Sequence, residues 1–333
     1  GVTTGTGDGT TFSPENACTR KQIVTFLWRA AGEPEPKSTV NPFVDVKSDR
    51  FEKAILWAYY GDHGVRDMTI CRDRATGRFH IFATDLSLAY GMRGKYKHSW
   101  REINRHGSKD LAHWWSDDLV HWSEQEMITF GDEGCGCIWA PDIIYDPEHG
   151  DYVLHWSYCH AENNYGPMAI YYSRTSDFIN YTRPALLYRK EDSGCIDSAM
   201  YEEDGKYYLF VKSEGNPHRM IELVSDHVTG PWTRVEAFDQ SMATVQEGVY
   251  EAPTAVRLDD KRWCLFIDYY GVKGAGQGYV PFVSSSMASG EFVRSDAKFS
   301  FPYGFKHGTI LPITEEEYDR MKAHDWDNVP DLR

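Results

Sequence analysis

Four acidic residues stand at the head of similar strand-like runs, and carboxylates in such a repeat could do acid–base chemistry. Asp67, Asp142, Asp197 and Glu251 each precede a short apolar run, a turn and a second, aromatic-rich run. The interval from Asp67 to Asp142 is the longest, and the next two intervals are nearly equal. Recurrence at a nearly constant period indicates one structural unit used several times. A repeat of this kind would bring the acids to one place in the fold.

Carboxylates gathered in one cleft have a specific chemical use. Their mutual repulsion raises the pKa of some members, so that acid and base forms coexist near neutral pH. Cleavage of a glycosidic bond needs that mixture, since the leaving oxygen takes a proton while a carboxylate activates water or attacks carbon. A single Asp before a strand is more often a turn or cap residue. Three acids at equivalent positions, Asp67, Asp142 and Glu251, favour the chemical role.

A period of roughly 55 residues, with several short strands in each unit, predicts the blades of a β-propeller. A fifth repeat is predicted at His307, one further period after Glu251, where residues 307–313 form a predicted strand. The predicted fold class is therefore all-β, a five-bladed β-propeller. Residues 86–115 lengthen the first blade, and we expect them to form a loop over one mouth of the propeller. The run Thr314-Glu-Glu-Glu317 predicts a capping box that opens a helix.

Residues 1–64 have a helical pattern instead. Apolar residues at i, i+3, i+4 and i+7 from Ile23 predict one helix, and residues 51–59 predict a second. The stretch resembles the S-layer homology repeat in its Phe43-Val-Asp-Val46 opening and its Ala-Ile-x-x-Ala helix. That resemblance implies a bacterial cell-wall polymer as a partner of residues 1–64, and a small helical cap on the main domain is the alternative. We divide the chain into an S-layer homology-like helical segment, 1–64, and a five-bladed β-propeller domain, 65–333, that contains the repeated acids.

Four segments resemble the signature segments of glycoside hydrolase family 43. They are Arg66-Asp67, Trp139-Ala-Pro-Asp142, Tyr250-Glu251-Ala-Pro253 and Lys306-His307-Gly308. The resemblance covers about residues 65–320. It implies a five-bladed propeller that inverts configuration at the anomeric carbon and chiefly removes arabinofuranose or xylose from plant polysaccharides.

The resemblance also implies a role for each acid. Asp67 would be the general base that activates water, Asp142 would tune the pKa of the acid and orient it, and Glu251 would be the general acid. The sequence departs from the family pattern at Met68, where Pro commonly follows the base, and at Ala252, where Gly commonly follows the acid. Both departures change only the entry into a strand, since the acids themselves are kept.

The remaining candidates have competing interpretations. Asp197 matches a recurring blade acid of the family, which is more often structural than catalytic. His307 matches a histidine that lies on the axis beside a calcium ion or water, and a buried, hydrogen-bonded histidine is the alternative. Trp139 could form a pocket wall against the sugar or pack in the core. Glu247 is rejected as the acid because it lacks the strand-opening Ala-Pro context. No cofactor is expected for the chemistry, and a structural Ca²⁺ on the axis would be held through water by His307.

The predicted function is an inverting exo-glycosidase acting on plant polysaccharides or oligosaccharides, with α-L-arabinofuranosidase as the leading activity. The expected partner is an arabinose- or xylose-containing glycan. A β-xylosidase or galactosidase of the same family is an alternative, because the sequence does not select the sugar. A propeller that binds glycans without cleaving them is another, although a binder has no need of a costly carboxylate cluster. The motifs of fructan-cleaving enzymes with the same blade number are not present.

Composition excludes several classes of partner. A net charge of −15 argues against nucleic acid or an anionic membrane. No apolar run approaches the roughly 20 residues that a membrane span needs. The seven cysteines lack zinc-ligand spacing and are predicted to be structural thiols. The polymeric substrate and the S-layer homology-like segment predict an extracellular or cell-surface location in a bacterium, with a signal peptide expected upstream of Gly1.

Overall fold

The computed structural model describes residues 25, 28–29, 33–41, 46, 51–59, 64–215, 218–258, 261–275, 277–295 and 306–324. The chain separates into two compact units. One comprises Gly1–Gly64, Leu86–Ser99 and Ile313–Arg333, and the other comprises Val65–Asp85 and Trp100–Pro312. The boundary predicted between residues 64 and 65 stays a prediction. No helix in the described part of the chain has the length and apolar character to cross a membrane.

The described part of the second unit contains sixteen strands in four antiparallel sheets, each ordered as its strands follow in the chain. The strands of the first two sheets are β1 Val65–Arg72, β2 Phe79–Asp85, β3 Asp110–Ser116, β4 Glu126–Thr129, β5 Cys135–Asp146, β6 Asp151–His160, β7 Ala169–Thr175 and β8 Ala185–Tyr188. Those of the last two are β9 Cys195–Glu203, β10 Lys206–Ser213, β11 Met220–Ser225, β12 Thr233–Arg234, β13 Val249–Arg257, β14 Trp263–Tyr270, β15 Gly278–Ser284 and β16 Val293–Arg294. The first strands of successive sheets adjoin, β1 with β5, β5 with β9 and β9 with β13. The sheets are therefore the blades of a β-propeller.

Apolar side chains between neighbouring blades hold the propeller together. Phe82 and Leu111 of the first blade pack with Leu154, Trp156 and Phe178 of the second. Similar clusters join the second blade to the third and the third to the fourth. Full burial of one such side chain contributes about 1.5–3 kcal/mol, so packing between blades contributes substantially to the stability of this unit.

The four α-helices in the described part of the chain are α1 Glu52–Tyr59, α2 Trp100–His106, α3 Glu236–Ala243 and α4 Glu315–Ala323. Helix α1 confirms the second helix predicted near the start of the chain. Helix α4 confirms the predicted capping box, since the Thr314 hydroxyl accepts from the Glu317 amide and the Glu317 carboxylate accepts from the Thr314 amide. The first predicted helix lies mostly outside the described residues, although Thr25, Trp28 and Arg29 are helical. The resemblance to the S-layer homology repeat stays a prediction.

The predicted count of five blades is wrong for the described part of the chain, which forms four. Residues 307–313 are irregular rather than a strand. Gly308 donates to the Tyr279 hydroxyl at 2.6 Å and Thr309 Oγ1 donates to the Met68 carbonyl at 3.3 Å. Side-chain partners replace a ladder there, and a β-strand cannot form without a neighbouring strand to pair with.

The insertion at residues 86–115 is also more regular than the predicted loop. It contains a π-helix, Leu88–Lys95, in the first unit and helix α2 in the second. Helix α2 packs on the start of β5, where the Gly136 backbone approaches Asn104 so closely that a Cβ would collide with its carbonyl oxygen. The second unit thus places a short helix beside the strand that carries Trp139 and Asp142.

Candidate active site

A β-bulge interrupts the first strand of each of the four described blades, beside the acid that the repeat predicts. The pairing shifts between Arg66 and Thr69 in β1, between Trp139 and Asp142 in β5, opposite Val211 and Lys212 in β9, and between Glu251 and Thr254 in β13. Each bulge contains a non-glycine residue with positive φ: Asp67 (48°), Ala140 (49°), Asp197 (51°) and Ala252 (53°). Such residues store about 1–3 kcal/mol of strain each and re-aim side chains next to active sites. The repeated acids are therefore directed by repeated, strained bulges.

Two consecutive residues connect the first and the last of these acids. The Nδ1 atom of His307 lies 3.4 Å from Oδ1 of Asp67, and Nζ of Lys306 lies 3.7 Å from Oε1 of Glu251. The charges of Asp67 and Glu251 also both act on Asp197, so the three carboxylates lie close to one another. Asp67 and Glu251, which belong to the first and the fourth blade, therefore face one site, as the repeat predicts.

Glu251 is surrounded by donors. Its Oε2 atom accepts from Lys212 Nζ at 3.1 Å and from the Tyr270 hydroxyl at 3.0 Å. Burial would raise the pKa of Glu251, but the ammonium groups of Lys212 and Lys306 outweigh it and hold the pKa below its ordinary value. Glu251 is therefore a carboxylate at neutral pH while the site contains no substrate.

Asp268 on β14 adds a further acid that the sequence analysis missed. It is fully buried, and its Oδ2 atom lies 3.1 Å from Lys306 Nζ. Burial raises the pKa of Asp268, and although Lys306 opposes that effect, Glu251 adds to it. Lys306 thus bridges Glu251 and Asp268 and partly neutralises the acid side of the site.

Asp197 belongs to the same electrostatic cluster, although the sequence favoured a structural role for it. Burial raises its pKa to about 7, with Glu251 and Asp67 adding to the rise and His307 and Lys212 opposing it. Its backbone N–H donates to Ser157 Oγ at 3.0 Å, which fixes the bulge to the second blade. Asp197 is thus a member of the cluster that can hold a proton near neutral pH. Its place in the repeat, one period after Asp142, was the signal that could have identified it.

Asp142 connects three blades. Its Oδ1 atom accepts from the Thr69 hydroxyl of the first blade at 2.9 Å, and Oδ2 accepts from the Met200 N–H of the third at 3.1 Å. Nε2 of the buried His155 lies 3.8 Å from the same Oδ2. Burial raises the pKa of Asp142 to about 6, against the effect of these hydrogen bonds. None of the contacts of the described residues joins Asp142 to Glu251, the acid that it was predicted to tune.

Lys212 and Tyr270 are site residues that the sequence analysis did not name. Lys212 follows the apolar run Tyr207-Tyr-Leu-Phe-Val211 in β10, and Tyr270 ends the equivalent run in β14. A lysine at the end of a buried strand is rarely buried unless it is paired. A lysine that directly follows an apolar strand was therefore the sequence signal for a paired, buried Lys212.

Trp139 is half-buried and has contacts of both predicted kinds. On one side it packs against a core cluster that contains Cys137, Cys159 and Met168. On the other its ring lies edge-on to Trp100 of helix α2, with centroids 5.8 Å apart and an interplanar angle of 71°. Trp100 is 52% exposed. The pair could present an aromatic surface to a sugar ring.

Several acids act on His307, the residue beside which the sequence predicts calcium. Calcium prefers six to eight oxygen ligands; Asp67 lies 3.4 Å from His307 Nδ1, and His307 also opposes the rise in pKa of Asp142, Asp197 and Asp268. Among the described residues, the one group of three close acid or histidine ligands is Asp146, Glu148 and His149, outside this site. Calcium held through water beside His307 stays a prediction, and no step of the chemistry below depends on it.

Comparison with known proteins decides the family. A family model described as "Probable glycosyl hydrolase domain", related to glycoside hydrolase family 43, matches residues 48–319. The chain belongs to this glycosyl hydrolase family. The predicted resemblance to family 43 is confirmed at this level.

A curated relative of this glycosyl hydrolase domain is the alpha-L-arabinofuranosidase of Bifidobacterium longum subsp. longum. It is 25% identical over 190 residues, which are 52% of this chain and 17% of the relative. The chain therefore matches about a sixth of the length of that relative.

Solved structures with similar folds include a thermostable family-43 glycoside hydrolase, with 16% identity, 71% of this chain and 73% of that chain covered, and a TM-score of 0.47. An alpha-L-arabinofuranosidase from Podospora anserina has 15% identity, coverages of 78% and 72%, and a TM-score of 0.49. An endo-arabinase from Bacteroides thetaiotaomicron has 18% identity, coverages of 69% and 79%, and a TM-score of 0.48. At these values the solved structures carry no argument about substrate.

Proposed function

We propose that this glycosyl hydrolase is an inverting exo-glycosidase of plant polysaccharides or oligosaccharides, and specifically an α-L-arabinofuranosidase. The observation that supports it most directly is the pair of contacts from Lys306 to Glu251 and from His307 to Asp67. Two carboxylates at one site, with a further protonatable carboxyl beside them, can supply the acid and the base that hydrolysis of a glycosidic bond requires.

In the proposed reaction Glu251, a carboxylate in the resting site, takes up the proton of Asp197 and donates it to the glycosidic oxygen, while Asp67 takes a proton from water. The bond between the anomeric carbon and the leaving oxygen breaks, and a bond from the water oxygen forms on the opposite face of the sugar. Asp67 then loses its proton to solvent, and the acid side of the site is reprotonated from solvent. His307, 3.4 Å from Asp67, would hold the base in position.

The modulating role is better supported for Asp197 than for Asp142. The charge of Glu251 raises the pKa of Asp197, and both carboxyl groups interact with the ammonium group of Lys212. Asp142 has each oxygen engaged by a neighbouring blade. We therefore propose that Asp142 positions the bulges and that Asp197 influences the ionisation of Glu251, the general acid.

Arabinofuranose is supported by the alpha-L-arabinofuranosidase relative, at 25% identity over 52% of the chain. Xylose and galactose remain the alternatives. The three candidate sugars are distinguished by measuring which sugar the enzyme releases from aryl α-L-arabinofuranoside, β-xyloside and β-galactoside. The same measurement is made with arabinan, arabinoxylan and arabinogalactan. Asp67→Asn and Glu251→Gln are the matched controls, since each keeps its size and loses its ionisation.

The anomer that forms first, followed by ¹H NMR, tests inversion. The inverted anomer is expected, and accumulation of the retained anomer would refute the assignment of Asp67 as a base. If the protein binds these glycans but releases sugar from none of them, the result would instead support the alternative function, a propeller that binds glycans without cleaving them.

An extracellular or cell-surface location, and binding of a bacterial cell-wall polymer by residues 1–64, complete the proposal. They are supported by the polymeric substrate class and by the S-layer homology-like pattern. Co-sedimentation of the full chain, and of a chain that starts at residue 65, with purified cell walls tests the second point. Equal sedimentation of both chains would contradict it.

A further inference from the structure

Lys212 is the more deeply buried of the two lysines that contact Glu251. Its side chain is 7% exposed, and Nζ lies 3.1 Å from Glu251 Oε2 and 3.2 Å from Glu214 Oε1. Burial alone would lower the pKa of Lys212, but Glu251, Asp197, Tyr270 and Glu214 reverse the effect and raise it. Lys212 is therefore a permanent positive charge against Glu251.

The second lysine beside Glu251 is in a different situation. Lys306 is 38% exposed, lies 3.7 Å from Glu251 Oε1, and is shared with Asp268 at 3.1 Å. Solvent screens an exposed charge more than a buried one. Lys212 therefore has the greater influence on Glu251, while the Tyr270 hydroxyl contributes a neutral hydrogen bond.

Strand pairing also brings Lys212 next to Asp197. In the ladder between β9 and β10, Lys212 pairs with Ile196 and Val211 pairs with Ser198, so Asp197 is the extra, bulged residue beside Lys212. The remaining charges that act on Asp197 are those of Glu251, Asp67 and His307. Lys212 is thus the cation common to Asp197 and Glu251.

We propose that Lys212 is a positioning residue that, by its contact with Glu251 Oε2, leaves Glu251 a carboxylate, so that the resting proton lies on Asp197 rather than on Glu251. The inference rests on the proposed function in one respect, that Glu251 gives the proton to the leaving oxygen. The proton then passes to Glu251 at the expense of Asp197 before or as the glycosidic bond breaks. Lys212 governs that redistribution without touching the substrate.

Titration of the side-chain carboxyl carbons by ¹³C NMR tests this directly, with signals assigned from Glu251→Gln and Asp197→Asn. In the wild type, Glu251 is expected to titrate in the acid range and Asp197 near neutrality. In Lys212→Met the pKa of Glu251 is expected to rise by roughly 1–3 pH units, the effect of losing an opposite charge at this distance. Lys212→Arg should restore it, and Lys306→Met should give a smaller rise.

Two results would overturn the inference. One is a wild type in which Glu251 holds its proton at neutral pH, a measurement that stands even if Lys212→Met does not fold. The other is a folded Lys212→Met in which Glu251 titrates as before. A purely structural Lys212 would lower the melting temperature and leave the titration unchanged.

The pH profile of kcat/KM provides the functional readout. The alkaline limb of Lys212→Met should lie roughly 1–3 pH units above that of the wild type, because both Glu251 and Asp197 lose a stabilising cation. Lys212→Arg should return the alkaline limb to its wild-type position. A wild type that hydrolyses none of the glycosides would refute the proposed function, and the NMR titration would still decide the role of Lys212.

Discussion

Glu222 on β11 offers a quantitative test of how this fold treats a buried charge. Its side chain is fully buried opposite Phe210, and neither carboxyl oxygen has a hydrogen-bond partner among the described residues. Burial raises its pKa from 4.5 to about 9, with Glu203 and Asp239 adding to the rise. Glu222 is therefore protonated in the folded protein at neutral pH, while the unfolded chain ionises it.

The sign of the pH dependence follows from that difference. Below pH 4.5 both states are protonated and Glu222 has no ionisation penalty; between pH 4.5 and about 9 the unfolded state binds fewer protons, so stability falls as pH rises. At 1.36 kcal/mol per pH unit, the loss is below about 1 kcal/mol at pH 5 and about 3 kcal/mol at pH 7. Glu222→Gln keeps the shape and the neutral polar group but cannot ionise in the unfolded chain. We therefore expect it to be more stable than the wild type by about these amounts.

Urea unfolding of both proteins at pH 5 and pH 7, followed by tryptophan fluorescence, measures the effect. Glu203 is the matched control, since it is buried and yet accepts from Trp263 Nε1, Ser286 Oγ and the Met287 N–H, each at 2.7 Å. Glu203→Gln directs an amide N–H₂ at some of these donors and should destabilise by about 1–3 kcal/mol. A gain for Glu222→Gln that is equal at the two pH values, or a loss at pH 7, would refute the reasoning.

Three further outcomes are expected at the site and beside it. Glu251→Gln should lower kcat/KM on polysaccharide by roughly 10²–10⁴-fold and spare aryl glycosides with good leaving groups more; full activity on polysaccharide would remove Glu251 as the acid. Asp142→Asn should fold with nearly wild-type stability and keep most activity, because the amide oxygen can accept from the Met200 N–H while the amide N–H₂ donates to the Thr69 hydroxyl. Asp142→Ala leaves both groups unpaired, at a cost of about 1–3 kcal/mol each. A large loss of activity in the folded Asn variant would show that Asp142 tunes the acid. Trp100→Ala should raise KM for oligosaccharides several-fold with little change in melting temperature, given its exposure; an unchanged KM would mean that Trp100 does not contact the sugar.

Local patterns in the chain predicted the elements of the propeller well. Each predicted acid-led hairpin is present, as β1–β2, β5–β6, β9–β10 and β13–β14. A strand, a turn and a capping box depend on residues near one another in the chain, and so they can be recognised from alternation and turn chemistry. The fifth blade was predicted from an acid-to-histidine spacing alone, and spacing does not supply the partner strand that a ladder needs.

The charges of the site could not be predicted in the same way, because they depend on partners brought close by blade packing. Lys212 and Glu251 belong to different blades, and the motif around Glu251 contains no sign of the lysine that keeps it ionised. Asp142 and Asp197 look alike as strand-opening acids. In the folded chain both carboxylate oxygens of Asp142 accept hydrogen bonds from neighbouring blades, whereas Asp197 is buried beside Lys212.

The amino-acid sequence by itself determined the repeat, the family and the four acids that open the blades, because each is set by residue type and short-range spacing. The tertiary structure alone decided the ionisation of each carboxylate. Burial and the distance to a charge outweigh the ordinary pKa of a side chain, and both arise only when strands from different blades are packed together.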